Sequence, residues 1–199
     1  MADRNGKKID WLIKKGDSMK AVVFLADGFE ECEGLIVVDI LRRAGVDTIM
    51  ASVMEDLQID SSRHIIVQAD AMAGDIDFDT VDLVVLPGGR LGTENLGASE
   101  LVTEKLREFA ADKHAAAICA APSLLASLGM LEGKKATCHP DFEGQMKGAV
   151  LTGESVAVDG NIITGQGLGA SFDFAFELVK ILVGEEKAEQ IKKSICYRY

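Results

Sequence analysis

The sequence predicts a three-layer α/β/α sandwich with a mainly parallel sheet and a small antiparallel hairpin. Two observations predict this fold class. Short apolar runs typical of buried strands alternate with amphipathic segments of helical length along the chain. The first of them follow one another as strand, helix and strand, an order that requires parallel strands and a right-handed crossover. Helices then cover both faces of the sheet.

The chain is long enough for one hydrophobic core. With 199 residues and 48% hydrophobic side chains, a single domain over residues 19–199 is expected. Residues 1–18 are polar and lysine-rich apart from one small apolar cluster, so we expect a poorly ordered extension, with a short docking helix as the alternative. The sequence contains neither an apolar run of transmembrane length nor the apolar block of a secretory signal. A soluble, cytoplasmic protein without membrane partners is therefore expected.

Composition also excludes several function classes. The formal net charge of −11 argues against a nucleic-acid partner, because phosphate binding depends on clustered Lys and Arg. The four cysteines are widely spaced and form no CxxC motif, so neither a zinc site nor a disulfide framework is indicated. Free thiols in a reducing cytoplasm are the expectation, with no metal.

Apolar runs and their stop signals define the predicted elements. A continuous apolar run forms the first strand, and Gly45 ends the helix that follows it. Asp159-Gly160 between two short extended runs is typical of a hairpin turn. The predicted strands are 21–26, 46–53, 82–86, 115–119, 135–138, 150–152, 156–158 and 161–164, the predicted helices are 30–44, 100–111, 123–128, 142–147, 171–183 and 185–193, and residues 56–70 form an antiparallel excursion.

Cys119 is the candidate nucleophile. A strand of small apolar residues ends at this cysteine, and a helix follows at once. A sharp strand-to-helix turn holds a nucleophile clear of the sheet, beside free backbone N–H groups and the positive end of the helix. These surroundings are expected to lower the thiol pKa from roughly 8.5 to about 3.5–7.5. A buried structural cysteine is the alternative, and the position at the turn favours the functional interpretation.

Other groups are expected beside Cys119, because ligands of parallel α/β sheets bind beyond the carboxyl ends of the strands. Gly88 and Gly89 follow a buried strand, and paired glycines let backbone N–H groups face an oxyanion. Glu33 lies one turn into the first helix. We hypothesise that it stays protonated and donates a hydrogen bond to the Cys119 thiolate, so that the two titrate as a coupled pair. His139 either exchanges protons with Cys119 or is an ordinary core or loop histidine.

The assembled motifs resemble the ThiJ/PfpI superfamily, within the branch that contains a parkinsonism-associated deglycase and a bacterial chaperone. The resemblance extends from Met19 to the C-terminus. It implies a flavodoxin-like fold, a homodimer, and no metal or organic cofactor. The motifs that carry it are Glu30-Glu31-Cys32-Glu33, Val38–Gly45, Leu86-Pro87-Gly88-Gly89, Ala117–Pro122, His139-Pro140 and Gly169-Ala170-Ser171-Phe172.

The resemblance also implies roles for individual residues. Cys119 matches the nucleophile and redox-sensitive thiol of the family, and Glu33 matches its hydrogen-bonding partner. The backbone donors would be Gly88, Gly89 and Ala120, with His139 nearby, whereas Arg43 and Arg63 match arginines near the dimer interface and the pocket. Without the resemblance, these two arginines are either anion-binding groups or solvated surface charges.

Two departures from the family pattern bear on activity. Ala120 stands where a protease-like branch has a histidine, which weakens a peptidase interpretation and leaves Cys119 without an adjacent imidazole base. Residues 165–168 replace a loop that contains Arg and Pro in the human relative, so the substrate preference stays open.

The leading hypothesis is a cofactor-independent glyoxalase or deglycase. It would act through the Cys119 thiolate on methylglyoxal-like α-oxoaldehydes, or on glycated amines and thiols. The first alternative is a redox-sensing stress protein or chaperone in which the same cysteine is oxidised to a sulfinic acid. A weaker alternative is a role in thiazole monophosphate biosynthesis, for which the sequence shows no phosphate cradle.

Overall fold

A computed structural model describes residues 18–198 of the chain. The extension predicted over residues 1–18 lies outside the described residues, apart from Ser18. The strands are β1 (Lys20–Leu25), β2 (Asp47–Ser52), β3 (Gln58–Asp60), β4 (Ile66–Gln68), β5 (Ala71–Met72), β6 (Leu83–Leu86), β7 (His114–Ile118), β8 (Lys135–Ala136), β9 (Val150–Leu151), β10 (Val156–Asp159) and β11 (Ile162–Gly165). The helices are α1 (Glu31–Ala44), α2 (Arg90–Ala98), α3 (Glu100–Asp112), α4 (Pro122–Ser127), α5 (Ser171–Leu182) and α6 (Glu185–Ser194), with 3₁₀ turns at Ala73–Asp75, Phe78–Thr80, Pro140–Gln145 and Leu168–Ala170.

Seven strands form the central sheet, in the order β10-β11-β7-β6-β1-β2-β5. Every neighbouring pair is parallel except β10 and β11, which form the predicted hairpin. β3 and β4 pair antiparallel outside this sheet, as the pattern between residues 56 and 70 predicts. The predicted fold class is therefore confirmed. Within residues 18–198, no helix has the length and apolar character needed to cross a membrane.

Strand β1 shows how the two faces of the sheet are filled. Val22 and Phe24 join the apolar cluster that α3 and α4 cover, whereas Val23 and Leu25 join the cluster beneath α1 and α5. All four side chains are fully buried. Successive side chains of a strand point to opposite faces, so a strand that is apolar on both faces must be covered by helices on both sides.

The three central strands end at the same edge of the sheet. Val23 of β1 pairs with Val85 of β6, and Leu86 of β6 pairs with Ala117 of β7, all in parallel register. The segments that follow these strands therefore meet at one edge, as the sequence predicts.

Helix α2 is the main difference from the predicted elements. Two glycines and an asparagine give residues 90–98 a low helix propensity, so the sequence pattern does not reveal the helix. Close packing explains one of these glycines, because a Cβ on Gly92 would lie 2.6 Å from the Cα and the backbone nitrogen of Phe29. The two-residue strand β5 was also not predicted, since it is too short to show a pattern.

Substituting the two glycines of α2 by alanine should have opposite effects. Gly92→Ala forces a methyl group against the Phe29 backbone and should destabilise the fold by about 2 kcal/mol or more. Gly97→Ala meets only the end of the Leu124 side chain, with Cδ1 at 3.2 Å, and should gain up to about 1 kcal/mol from helix propensity. Urea unfolding of both variants measures the difference. Equal destabilisation would contradict the packing account of α2.

Candidate active site

Cys119 lies on a strained turn between β7 and α4. Its φ of +66° falls in the left-handed region, which costs a residue with a side chain about 1–3 kcal/mol. The Cys119 N–H donates to the carbonyl of Gly165, and its own carbonyl accepts from the N–H of His139, both at 2.9 Å. These two hydrogen bonds hold the strained conformation. The structure thus places Cys119 at the predicted strand-to-helix turn.

Glu33 is the acidic group beside this thiol. It is only 1% exposed, and the Cys119 thiol interacts with its carboxyl group. Oε2 accepts a hydrogen bond of 2.9 Å from the N–H of Gly88. Oε1 is buried and has no hydrogen-bond partner within residues 18–198. Glu33 therefore lies where the sequence hypothesis puts it.

Gly88 binds Glu33 through its N–H, whereas the sequence predicts that this N–H is an oxyanion donor. Its N–H is occupied by Glu33, so it is not a free oxyanion donor, and the prediction for this residue is corrected. A Cβ on Gly88 would lie 2.5 Å from Oε2 of Glu33 and 2.6 Å from Cβ of Cys119. Only a glycine therefore lets the acid and the thiol approach each other. The N–H groups of Gly89 and Ala120 both interact with the Cys119 sulfur.

The ionisation of Glu33 and Cys119 is coupled. Burial raises the pKa of Glu33 to about 7, and the negative charges of Glu30 and Glu31 contribute to this increase. Burial and then the charge of Glu33 raise the pKa of Cys119 to about 12, although the N–H groups of Gly89 and Ala120 lower it. Between these two values the pair holds a single proton, which either the Glu33 carboxyl or the Cys119 sulfur can carry.

Burial and the Glu33 charge therefore outweigh the lowering of the thiol pKa that a helix end is expected to cause, and ionisation of the sulfur depends on which group holds the single proton. Helix α4 has only six residues, so its dipole is small.

His139 contacts Cys119 through its backbone rather than its ring. Besides the N–H bond to the Cys119 carbonyl, ring Nδ1 accepts from the N–H of Asp141 at 3.3 Å and lies 3.8 Å from that carboxylate. No hydrogen bond joins the ring to the thiol in the described part of the chain. The structure therefore gives His139 a positioning contact with the turn, and proton exchange with Cys119 stays a prediction.

The two arginines are not brought together at the thiol. Arg43 lies in the last turn of α1, where its Nε donates to Asp39 at 2.6 Å. Arg63 lies near the first turn of the same helix. Its Nη1 donates to the carbonyl of Ser62 at 3.1 Å, and the Ser62 hydroxyl in turn donates to the Glu31 carboxylate, also at 3.1 Å. A location of either arginine at a dimer interface stays a prediction.

Sequence reasoning missed the contribution of Glu30. An acidic residue at a helix N-terminus is expected to interact with the helix dipole, but the Glu30 side chain also caps α1 by accepting from the N–H of Glu33 at 2.7 Å. Its own N–H donates to the carbonyl of Gly88 at 2.9 Å. Glutamate is not among the preferred N-cap residues, so the sequence offers no signal for this role. No cluster of three or more His, Cys, Asp or Glu side chains suited to a metal ion occurs within residues 18–198.

Comparisons with known proteins identify similar sequences and a similar structure. A model of the DJ-1/PfpI family matches residues 19–181, which include every segment of the site. Protein dj-1beta of Drosophila melanogaster is 36% identical over 185 residues, which cover 92% of this chain and 99% of that protein. The glutathione-independent glyoxalase DJR-1.2 of Caenorhabditis elegans is 29% identical over 171 residues, covering 84% of this chain and 90% of that protein. The structure of oxidized Toxoplasma gondii DJ-1 matches with a TM-score of 0.88 at 33% identity, covering 92% of this chain and 100% of that one.

The raised pKa of Glu33 predicts a pH-dependent stability. Unfolded Glu33 titrates at 4.5, whereas the folded pair of Glu33 and Cys119 releases its first proton at about 7, so the pair stabilises the protein below pH 4.5 and this contribution is lost as the pH rises to 7. Across this window the free energy of unfolding of wild type should fall relative to that of Glu33→Gln by up to about 3 kcal/mol. Chemical unfolding at several pH values measures the difference, with the exposed Glu104→Gln as control. Parallel profiles for wild type and Glu33→Gln would exclude the buried, proton-binding carboxyl.

Proposed function

This chain belongs to the DJ-1/PfpI family, and we propose that it is a cofactor-independent glyoxalase or deglycase-type enzyme. Its substrates would be methylglyoxal-like α-oxoaldehydes or their early glycation adducts. The observation that carries the proposal is the buried contact between the Glu33 carboxyl and the Cys119 thiol, beneath two backbone N–H groups. The glyoxalase name of the nematode relative supports the same chemistry.

The hydrogen bonds of the site favour the negative charge on sulfur. Two N–H groups, from Gly89 and Ala120, face Cys119, whereas one, from Gly88, faces Glu33. Neither of the two N–H groups at the sulfur donates to a backbone carbonyl in the described chain. A proton on the Glu33 carboxyl would let it donate a hydrogen bond to the Cys119 sulfur, with which it interacts. The reactive form is then a thiolate beside a neutral carboxylic acid.

The proposed reaction begins with attack of the thiolate on the aldehyde carbon. A C–S bond forms, and the carbonyl oxygen takes up a proton to give a hemithioacetal. Glu33, after giving up its proton, removes the hydrogen from this carbon, and the proton returns to the adjacent carbon through an enediol. The N–H groups of Gly89 and Ala120 are placed to stabilise charge that develops at the reacting oxygen. The resulting thioester is hydrolysed by water to a 2-hydroxy acid, which restores the thiol.

A redox function is the second candidate. Cys119 is partly exposed, and a structural relative is described as oxidized. Two molecules of hydrogen peroxide would convert the thiolate to a sulfinate and form two molecules of water. The N–H groups that face the sulfur would then bind the sulfinate oxygens.

Variants at the two central residues test the proposed reaction. With methylglyoxal as substrate, Cys119→Ala should form no lactate, and Glu33→Gln should lose at least about 100-fold in kcat/KM because it cannot move a proton between carbons. Cys32→Ala, which removes an exposed thiol beside Glu33, is the control and should keep the wild-type rate. Direct assay of lactate avoids counting the spontaneous loss of methylglyoxal.

Two outcomes would contradict the proposal. Lactate formation by Cys119→Ala at the wild-type rate would exclude the thiolate mechanism. Absence of turnover in wild type, together with two added oxygens on the Cys119 peptide after mild peroxide, would favour the redox function instead.

A further inference from the structure

A cavity lies next to the two helices that follow the segments of the Cys119 site. It has a volume of about 220 Å³ and lies between α2, α4 and the 3₁₀ turn at residues 140–145. Cys119 does not line it, but two residues of its wall adjoin the N–H donors of the site. Arg90 directly follows Gly89, and the Ser123 hydroxyl donates to the carbonyl of Ala120 at 2.7 Å. Arg90 and Ser123 therefore connect the wall of the cavity to the segments that carry both N–H donors.

Arg90 supplies a positive charge to this cavity. Its guanidinium lies 4.8 Å from the centre of the Phe142 ring, which also lines the cavity. Within residues 18–198, no carboxylate lies within 4.0 Å of Arg90, and its guanidinium donates no hydrogen bond. Phe142 thus orients a guanidinium whose five N–H donors remain available, in a protein with a net charge of −11.

Thr93 supplies an unpartnered hydroxyl to the same wall. The residue is only 8% exposed, and its Oγ1 is buried with no hydrogen-bond partner in the described chain. A threonine in a helix usually donates to a carbonyl in the preceding turn. Here the carbonyl of Gly89 accepts from the N–H of Thr93 at 2.8 Å, but no carbonyl accepts from its hydroxyl. A buried hydroxyl without a partner destabilises the protein unless a ligand provides one.

We propose that this cavity, named here the Arg90 cavity, binds a carboxylate or phosphate group of a substrate whose aldehyde carbon reacts at Cys119. A guanidinium and a hydroxyl donor are the groups that recognise such anions. At roughly 30 Å³ per water molecule, the cavity has room for about seven waters, more than the methyl group of methylglyoxal would fill. This inference rests on the proposed function and narrows it to oxoaldehydes or glycation adducts that carry an anionic tail.

Glu94 provides an internal control. It lines the same cavity and is exposed, and its negative charge opposes that of Arg90. If the ligand is an anion, loss of Arg90 and loss of Glu94 must have effects of opposite sign. A cationic ligand would reverse both signs.

Binding of inorganic phosphate and of acetate, followed by amide NMR shifts, tests the cavity without any turnover. Saturable shifts are expected at the amides of Thr93 and Ser123. Arg90→Gln should weaken the binding roughly tenfold, and Glu94→Gln should strengthen it. Thr93→Val should weaken it without lowering the melting temperature, because the lost hydroxyl has no partner in the protein. Whichever of phosphate and acetate binds more tightly identifies whether the cavity prefers a phosphate or a carboxylate group.

Absence of saturable shifts, or equal binding by wild type and Arg90→Gln, would overturn the proposal.

A kinetic comparison links the cavity to Cys119. The methylglyoxal adduct of N-acetylcysteine carries a carboxylate that the adduct of N-acetylcysteinamide lacks. Arg90→Gln should lower the charged-to-neutral ratio of kcat/KM roughly tenfold. If wild type turned over neither adduct, the proposed function would fail, and the NMR titration would still decide whether the cavity binds anions.

Discussion

The close approach of Glu33 and Cys119 across Gly88 is the constraint on which the rest of the site depends. Any side chain at Gly88 would collide with both groups. The backbone there is fixed from two sides, since its N–H donates to Glu33 and its carbonyl accepts from Glu30. One glycine thus joins the start of α1, the end of β6 and the turn after β7. The parallel sheet brings these three segments to one edge, and Gly88 sets the distance between them.

The short distance between Glu33 and Cys119 destabilises the folded protein in two ways. Cys119 is held at a positive φ, and a buried pair of acidic groups must retain one proton at neutral pH. The surrounding core offsets both costs, because β1, β6 and β7 are almost completely buried under helices on both faces. A rigid sheet edge can therefore hold a geometry that an isolated loop would relax. The same rigidity keeps the N–H groups of Gly89 and Ala120 aimed at the sulfur, where charge develops during the proposed reaction.

Much of this arrangement could be predicted from the sequence. Alternating apolar runs are enough to predict the parallel sheet, and the strand-to-helix turn at Cys119 is visible in its run of small residues. The rest depends on contacts between distant segments. Helix α2 has poor intrinsic propensity and exists because Gly92 packs on the Phe29 backbone. The thiol pKa depends on burial and on Glu33 rather than on the six-residue α4, and the capping by Glu30 follows no sequence rule. Local patterns therefore predict where strands end, but not which N–H group each side chain binds there.

The location of the shared proton is the central claim, and infrared difference spectroscopy measures it most directly. Between about pH 8 and 9 the pair holds one proton, and wild type can be compared with Glu33→Gln and Cys119→Ala. The account predicts a protonated carboxyl band that disappears in Glu33→Gln, and no S–H band assignable to Cys119. A Cys119 S–H band together with an ionised Glu33 carboxylate would contradict it. The thiol would then be the resting acid of the pair, and Glu33 would be its base.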